Sequence, residues 1–230
     1  MTDDRLTSRI RGALFASGLI IAAMAALSAY AWAVLPADAR IAVHWNIAGV
    51  ADRFAGKWEG LVLLPAIALA VTAVFAALPV LEPRRRHLWQ SSKAYSRIWL
   101  ASLGLLGFLH AVVVLGALGR GFDTLTMVGI GLGILLMVTG NFLAKLHSNF
   151  FIGIRTPWTL SSERVWEKTH RLGGRLFMLS GLVLLLAALF GTGRAVVPIV
   201  IAAIAVVVFV VVAYSFLLWR QEQREGNGAR

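Results

Sequence analysis

Six long apolar runs, set apart by short charged segments, define the architecture of this chain: 13–35, 61–81, 98–118, 125–144, 176–193 and 195–219. A helix needs about 20 apolar residues to cross the hydrocarbon of a bilayer, and each run meets or approaches that length. Backbone groups in hydrocarbon have no water to bond, so each run is expected as a helix. The alternation of a lipid-facing barrel strand is missing. The expected fold is all-α, a polytopic membrane protein whose six transmembrane helices form a bundle with one short interfacial helix. The first run is longer than a secretory signal core and five more follow, so it is expected to be retained as a membrane helix.

The connections after the third and fifth runs are a few residues each, which makes runs three and four, and runs five and six, antiparallel hairpins. Two longer connections, 36–59 and 145–175, carry the polar chemistry. Lys and Arg are retained on the cytoplasmic side of short loops. With the amino terminus inside, only Arg40, Arg53, Lys57, Arg120 and Arg194 lie outside, leaving 17 of the 22 cations inside. Both termini are therefore expected to be cytoplasmic and the protein to sit as a multi-pass component of the cell membrane. That asymmetry also accounts for the net charge of +11 through anionic headgroups in the bilayer, without direct nucleic acid binding.

In the outer connection, Ile41, Val43 and Trp45 alternate with Ala42 and His44, the mark of a short extended piece, and Gly49 and Gly56 signal turns. His44, Trp45, Asn46, Asp52 and Trp58 are the candidate contacts for a ligand there, with interfacial anchoring as the plain alternative for the two Trp residues. The inner connection predicts a short helix that begins at an N-cap Ser161 and loosens at Gly173-Gly174. Val165, Trp166, Thr169 and Leu172 fall on one side of it, so Trp166 and Leu172 are expected to dock it on the bilayer. Arg155 lies among Phe150, Phe151, Trp158 and Trp166, where a guanidinium stacks on rings or clamps a phosphate or carboxylate. Within the spans, His110 and Asn141 are the polar side chains that lipid penalises, and such groups face the bundle interior or water. Gly129, Gly131 and Gly133 predict close helix packing along the fourth run.

Enzyme chemistry finds little support. Glu167 and His170 have the Glu-x-x-His spacing of di-iron bundles, but that site needs a second copy and two further carboxylates. There is no His-Glu-x-x-His pair, no Gly-x-Ser-x-Gly elbow and no Walker loop. None of the 11 acidic residues falls inside a run, and the chain has no cysteine. No catalytic residue, metal site or cofactor is expected.

The run Gly140-Asn141, Asn149, Gly153-Ile154-Arg155-Thr156-Pro157-Trp158-Thr159-Leu160, Ser162-Glu163, Trp166, Thr169-His170-Arg171 and Gly173-Gly174 resembles the signature of the SdpI family of bacterial membrane proteins. The outer segment Val43-His44-Trp45-Asn46, Gly49, Asp52 and Gly56-Lys57 is similar to a domain of unknown function often found at the amino end of the same proteins. The resemblance implies two parts: residues 1–82, a first helical hairpin carrying loop 36–59, and residues 83–230, a four-helix membrane domain carrying the motif loop 145–175. It implies an integral membrane immunity and sensor protein that confers resistance to a secreted, membrane-active peptide toxin. It also implies a signalling role in which a cytosolic repressor is sequestered at the membrane. Asn141, Asn149, Arg155, Thr156, Trp158, Trp166 and His170 are then the candidate ligand-binding or signalling residues inside. A transporter or exporter of a small amphipathic solute, with His110 and Asn141 along its path, is the alternative.

Overall fold

The computed structural model describes residues 2–191 and 193–228. Among the described residues, six helices are long and apolar enough to cross a membrane: α1 (Thr2–Val34), α2 (Lys57–Leu81), α4 (Ser92–Ala117), α5 (Thr124–Leu143), α7 (Glu163–Phe190) and α8 (Val196–Gly228). Two short helices, α3 (Arg85–Gln90) and α6 (Pro157–Ser161), and a 3-10 turn (Gly193–Ala195) complete the helical elements. The extended piece read at 41–45 is strand β1 (Ile41–Trp45), and it pairs antiparallel with β2 (Ala51–Ala55), a partner that the sequence reading did not identify.

One expectation is corrected. The helix placed between Ser161 and Gly173-Gly174 does not lie separately at the interface, because α7 runs unbroken from Glu163 to Phe190. Its N-cap is Ser162, whose hydroxyl accepts from the Val165 N–H at 3.2 Å. Gly173 and Gly174 are buried against other elements and do not break the helix. A Cβ on Gly174 would meet the Gly140 carbonyl at 2.7 Å, and one on Gly173 would strike the Ile154 side chain. Glycine stays helical here because packing offsets its backbone entropy.

Two packing groups share α4. On one side α1, α2 and α4 surround a core of Ala13, Met24, Ala68, Tyr95, Trp99 and Leu103. On the other, α5, α7 and α8 enclose Leu184, Ala188 and Val196, and Ala94 and Ile98 of α4 join Leu143 and Trp166 at the end near the inner loop.

Helix α2 contains Pro65 and Pro79. A proline cannot donate to the carbonyl four residues back, so Leu61 O and Phe75 O lose their helical partners. Both are taken up by hydroxyls from neighbouring helices: Ser28 of α1 donates to Leu61 O at 2.7 Å, and Tyr95 of α4 donates to Phe75 O. Ser28 Oγ also lies 3.0 Å from His110 Nε2, which bonds the Met24 carbonyl at 3.1 Å. That carbonyl requires the His110 proton on Nε2, so one polar chain ties α1, α2 and α4. The expectation that His110 faces the interior is met: the residue is fully buried. Ser28→Ala should lower unfolding stability by roughly 1 kcal/mol, the scale of a hydrogen bond between membrane helices. In a Pro65→Ala background, where the backbone N–H restored by the substitution can reach Leu61 O, the same change should cost clearly less. A double-mutant cycle by thermal unfolding in detergent measures the difference; an equal cost in both backgrounds would show that Ser28 does not serve the proline kink.

Candidate functional site

Polar structure concentrates at the two ends of the bundle. At one end, Asn46 N–H bonds the Val50 carbonyl at 3.0 Å and Gly49 N–H bonds the Asn46 carbonyl at 2.9 Å, closing the β1–β2 hairpin. Gly49 has φ +79°, the left-handed conformation that such a turn requires of its glycine. The Asn46 side chain accepts from Ala48 N–H at 2.9 Å and Val50 N–H at 3.1 Å. Asn46 therefore shapes the turn, and its carbonyl oxygen is not free for a ligand.

His44 and Asp52 stand on the exposed face of the hairpin and meet at 2.6 Å, and Trp45 is half-buried opposite Ala51. Lys57 caps α1 by donating to Trp32 O at 2.7 Å and Leu35 O at 2.9 Å, which leaves its neighbour Trp58 72% exposed and edge-on to Trp32. Ile47 and Val50 at the hairpin tip are 75% and 60% exposed, and Phe54 is exposed as well. The hairpin is held from below by Ile41, buried against Gly60, and by Gly49, which sits on Leu125. The result is a firmly seated hairpin with an apolar crest.

At the opposite end, the inner loop is an ordered knot. Asn149 is fully buried and uses its whole amide. Its Oδ1 accepts from Phe151 N–H (3.0 Å) and Ile152 N–H (2.7 Å), and its Nδ2 donates to the carbonyls of His147 and Ile152, each at 2.9 Å. His170, also fully buried, donates from Nδ1 to Trp166 O at 2.9 Å and accepts at Nε2 from Ile154 N–H at 2.9 Å, so it is the neutral Nδ1–H tautomer. Its ring stacks on Trp166 with centroids 3.9 Å apart. Gly153, with φ +123°, passes over these two rings so closely that a Cβ would strike His170 Nε2. Trp166 donates from Nε1 to Leu146 O at 2.7 Å, so this side chain holds the loop and does not dock on lipid as expected.

Thr156 and Thr159 form a reciprocal capping box at the start of α6, with Pro157 at its first position. Thr156 also reaches Ser215 Oγ of α8 at 3.1 Å. Trp158 is half-buried against Phe216, centroids 5.1 Å apart. Arg155 is exposed and donates to Phe150 O at 2.6 Å. It does not take the stacked position expected of it; the cation over Phe150 is Arg84, 4.8 Å from the ring centre. Asn141 departs from expectation too, lying exposed beside Lys145 Nζ at 3.4 Å rather than facing the bundle interior.

Sequence reasoning missed Glu82, Arg84, Ser91 and Ser148. Glu82 is buried at the end of α2 and accepts from Arg84 N–H at 2.9 Å and Phe150 N–H at 3.0 Å. Arg84 binds Ser148 Oγ and, at 3.3 Å, Leu160 O. Ser91 Oγ accepts from His147 N–H at 2.8 Å. One signal was available: Glu82 is the lone acid between a long apolar run and Arg84-Arg85-Arg86. Among the described residues, no group of three or more His, Asp or Glu is placed to hold a metal ion.

Comparison with known proteins bears on this loop directly. Residues 145–215, which hold the knot and the two helices that carry it, match the model of the SdpI/YfhL protein family. This segment, about a third of the chain, is similar to the SdpI/YfhL family. Residues 19–69, which contain the hairpin, match a domain of unknown function (DUF1648). A curated relative, Immunity protein SdpI of Bacillus subtilis (strain 168), is 32% identical over 132 residues, covering 55% of this chain and 62% of the relative. The chain thus spans somewhat less than two thirds of that relative's length. No solved structure matches. The SdpI-type motif residues divide by burial: Asn149, Thr156, Trp166 and His170 are buried builders of the knot, Trp158 is half-buried, Arg155 is exposed on the knot and Asn141 is exposed on α5.

Proposed function

We propose that this multi-pass membrane protein is an immunity protein that protects its host from a membrane-active peptide toxin. The observation that carries the reading is the 32% identity to Immunity protein SdpI, in a chain whose residues 145–215 match the SdpI/YfhL model. The apolar crest of the hairpin gives the role a place. Ile47, Val50, Phe54 and Trp58 present ring and aliphatic surface where an amphipathic peptide would partition. With both termini inside, as the cation asymmetry argues, this crest faces the outer medium and the loop 145–175 faces the cytosol. A cytosolic repressor held at the membrane would then meet Arg155, Phe150 and the half-buried Trp158, three of the side chains of that loop that reach its surface. The role requires no catalysis.

The transporter alternative draws less support. His110 is committed to the α1–α2–α4 junction and Asn141 is exposed on α5, so the two do not line one path.

Expression in a peptide-sensitive bacterium should raise survival at least tenfold. A double Ile47→Asp, Val50→Asp variant, which accumulates normally because both side chains are exposed, should lose that protection. Single cysteines are clean probes because the native chain has none. Ile47→Cys should label from outside intact cells, and Arg155→Cys only after permeabilisation. Full protection by the double variant would discard the crest as the peptide contact, and external labelling of Arg155→Cys would discard the orientation.

A further inference from the structure

Beyond the immunity role, the face of α7 turned away from α5 carries a feature that role does not use. Lys168, Arg171 and Arg175 are spaced three and four residues apart and line, with Leu172 and Tyr214 of α8, a cavity of about 310 Å³. Among the described residues none of these three cations has an ion pair or a hydrogen bond. The carboxylate of Glu225 on α8 is held by Arg164 at 2.8 Å and lies within electrostatic reach of Lys168, but Glu167, one turn before Arg171, makes no bridge to it. Like charges at these spacings on one helix repel each other, and Glu225 offsets only part of the charge of three, leaving Arg171 and Arg175 without a counter-anion. Further along the same face of α7, at three- and four-residue steps, come Leu179, Leu182 and Leu186, all exposed. A cationic pocket therefore stands directly at the end of an exposed leucine stripe.

We infer that this is a binding site for an anionic phospholipid: the phosphate and any second acidic group of the head sit among Lys168, Arg171 and Arg175, and an acyl chain lies along Leu179, Leu182 and Leu186. Charge complementarity selects the occupant. A zwitterionic head brings its own cation into a pocket already holding three, whereas an anionic head relieves their repulsion. A free phosphate shares the head chemistry but gains nothing from the stripe. Tyr214 supplies a hydroxyl and a ring wall from α8, so an occupied site bridges α7 and α8.

The test uses the full chain purified in a neutral detergent, titrated with short-chain phosphatidylglycerol, short-chain phosphatidylcholine or inorganic phosphate, and read by native mass spectrometry and thermal unfolding. Phosphatidylglycerol should bind and raise the melting temperature, and phosphatidylcholine and phosphate should do so at least tenfold more weakly. Arg171→Gln and Arg175→Gln should each weaken phosphatidylglycerol binding about fivefold, the effect of removing one cation near an anionic head. Arg53→Gln, at the opposite end of the bundle, should leave it unchanged. Because both inner arginines are exposed, the variants should keep the parent's helicity, and Arg175→Lys should retain most of the affinity. Equal binding of both lipids would overturn the inference. So would equal binding of phosphate, which would mark a free-anion site, or an Arg53→Gln effect as large as that of Arg171→Gln.

Discussion

Gly181→Leu is expected to prevent α5 and α7 from closing against each other and so to eliminate the folded protein from membranes. The two helices meet at two reciprocal glycine pairs. A Cβ on Gly181 would lie 2.6 Å from the Gly133 carbonyl, and one on Gly133 would lie 2.9 Å from the Gly181 carbonyl. Seven residues along each helix the arrangement repeats with Gly140 and Gly174, at 2.6 and 2.7 Å. In each pair the obstructing atom is backbone, which cannot rotate aside as a side chain does. Lipid tails are as apolar as leucine, so burial of leucine surface does not hold membrane helices together, and close backbone approach with its dispersion contacts does. Overpacking a soluble core costs roughly 1–3 kcal/mol. Here the helices must separate along their shared length, so the loss should lie at or above the top of that range. Gly181→Ala should be milder but still clearly destabilising, whereas Gly12→Ala, with open space around its Cβ position, should be neutral. Detergent-resistant yield and thermal unfolding of the three variants measure the order. Normal accumulation of Gly181→Leu would show that the helices pack elsewhere.

The same glycines show what could be read in advance. Hydrocarbon length alone marked all six spans, although α7 begins 13 residues before the run read for it, because a bilayer sets the length a helix must reach but not how far it continues into the loop. Close packing along the fourth run was legible from Gly129, Gly131 and Gly133, yet their directions were not. Gly131 faces Leu105 and Phe108 of α4, whereas Gly129 and Gly133 face Ala188, Val196 and the Gly181 carbonyl. Gly173-Gly174 was misread as a break because a paired glycine is locally weak in helix and only its tertiary partner reveals the contact. Ser28 and Tyr95 gave no local sign of their role either; it arises from carbonyls that Pro65 and Pro79 orphan on a different helix. The inner motif drew attention by its chemistry, and the structure spends most of that chemistry on backbone. Asn149, Trp166 and His170 each bond main-chain groups of the loop, a use that residue type cannot distinguish from ligand binding.

That use makes Asn149→Ala the most damaging single change in the inner loop. Removing the amide leaves the N–H groups of Phe151 and Ile152 and the carbonyls of His147 and Ile152 without the partners described above, in a partly buried place. A buried polar group stranded in this way costs about 1–3 kcal/mol, and four cannot all be stranded, so the loop should open until water reaches them. Asn149→Asp separates the two halves of the role: it keeps the acceptor for Phe151 and Ile152 N–H but replaces the donor to His147 O and Ile152 O with a carboxylate oxygen that repels them. The Asp variant should therefore fall between Asn and Ala or, if the repulsion dominates, match Ala. Hydrogen exchange over 146–156 reports the opening, with protection expected to drop at least tenfold in Asn149→Ala while α1, α2 and α4 keep parental protection. Protection against the peptide separates two uses of the knot. If it only closes the bundle, survival falls with stability. If it also presents Arg155 and Trp158 to a partner, the signal to that partner is lost by more than the fall in survival accounts for. Parental exchange rates in the loop of Asn149→Ala would show that the four backbone groups find other partners, and that the knot is held by His170, Trp166 and Glu82 without it.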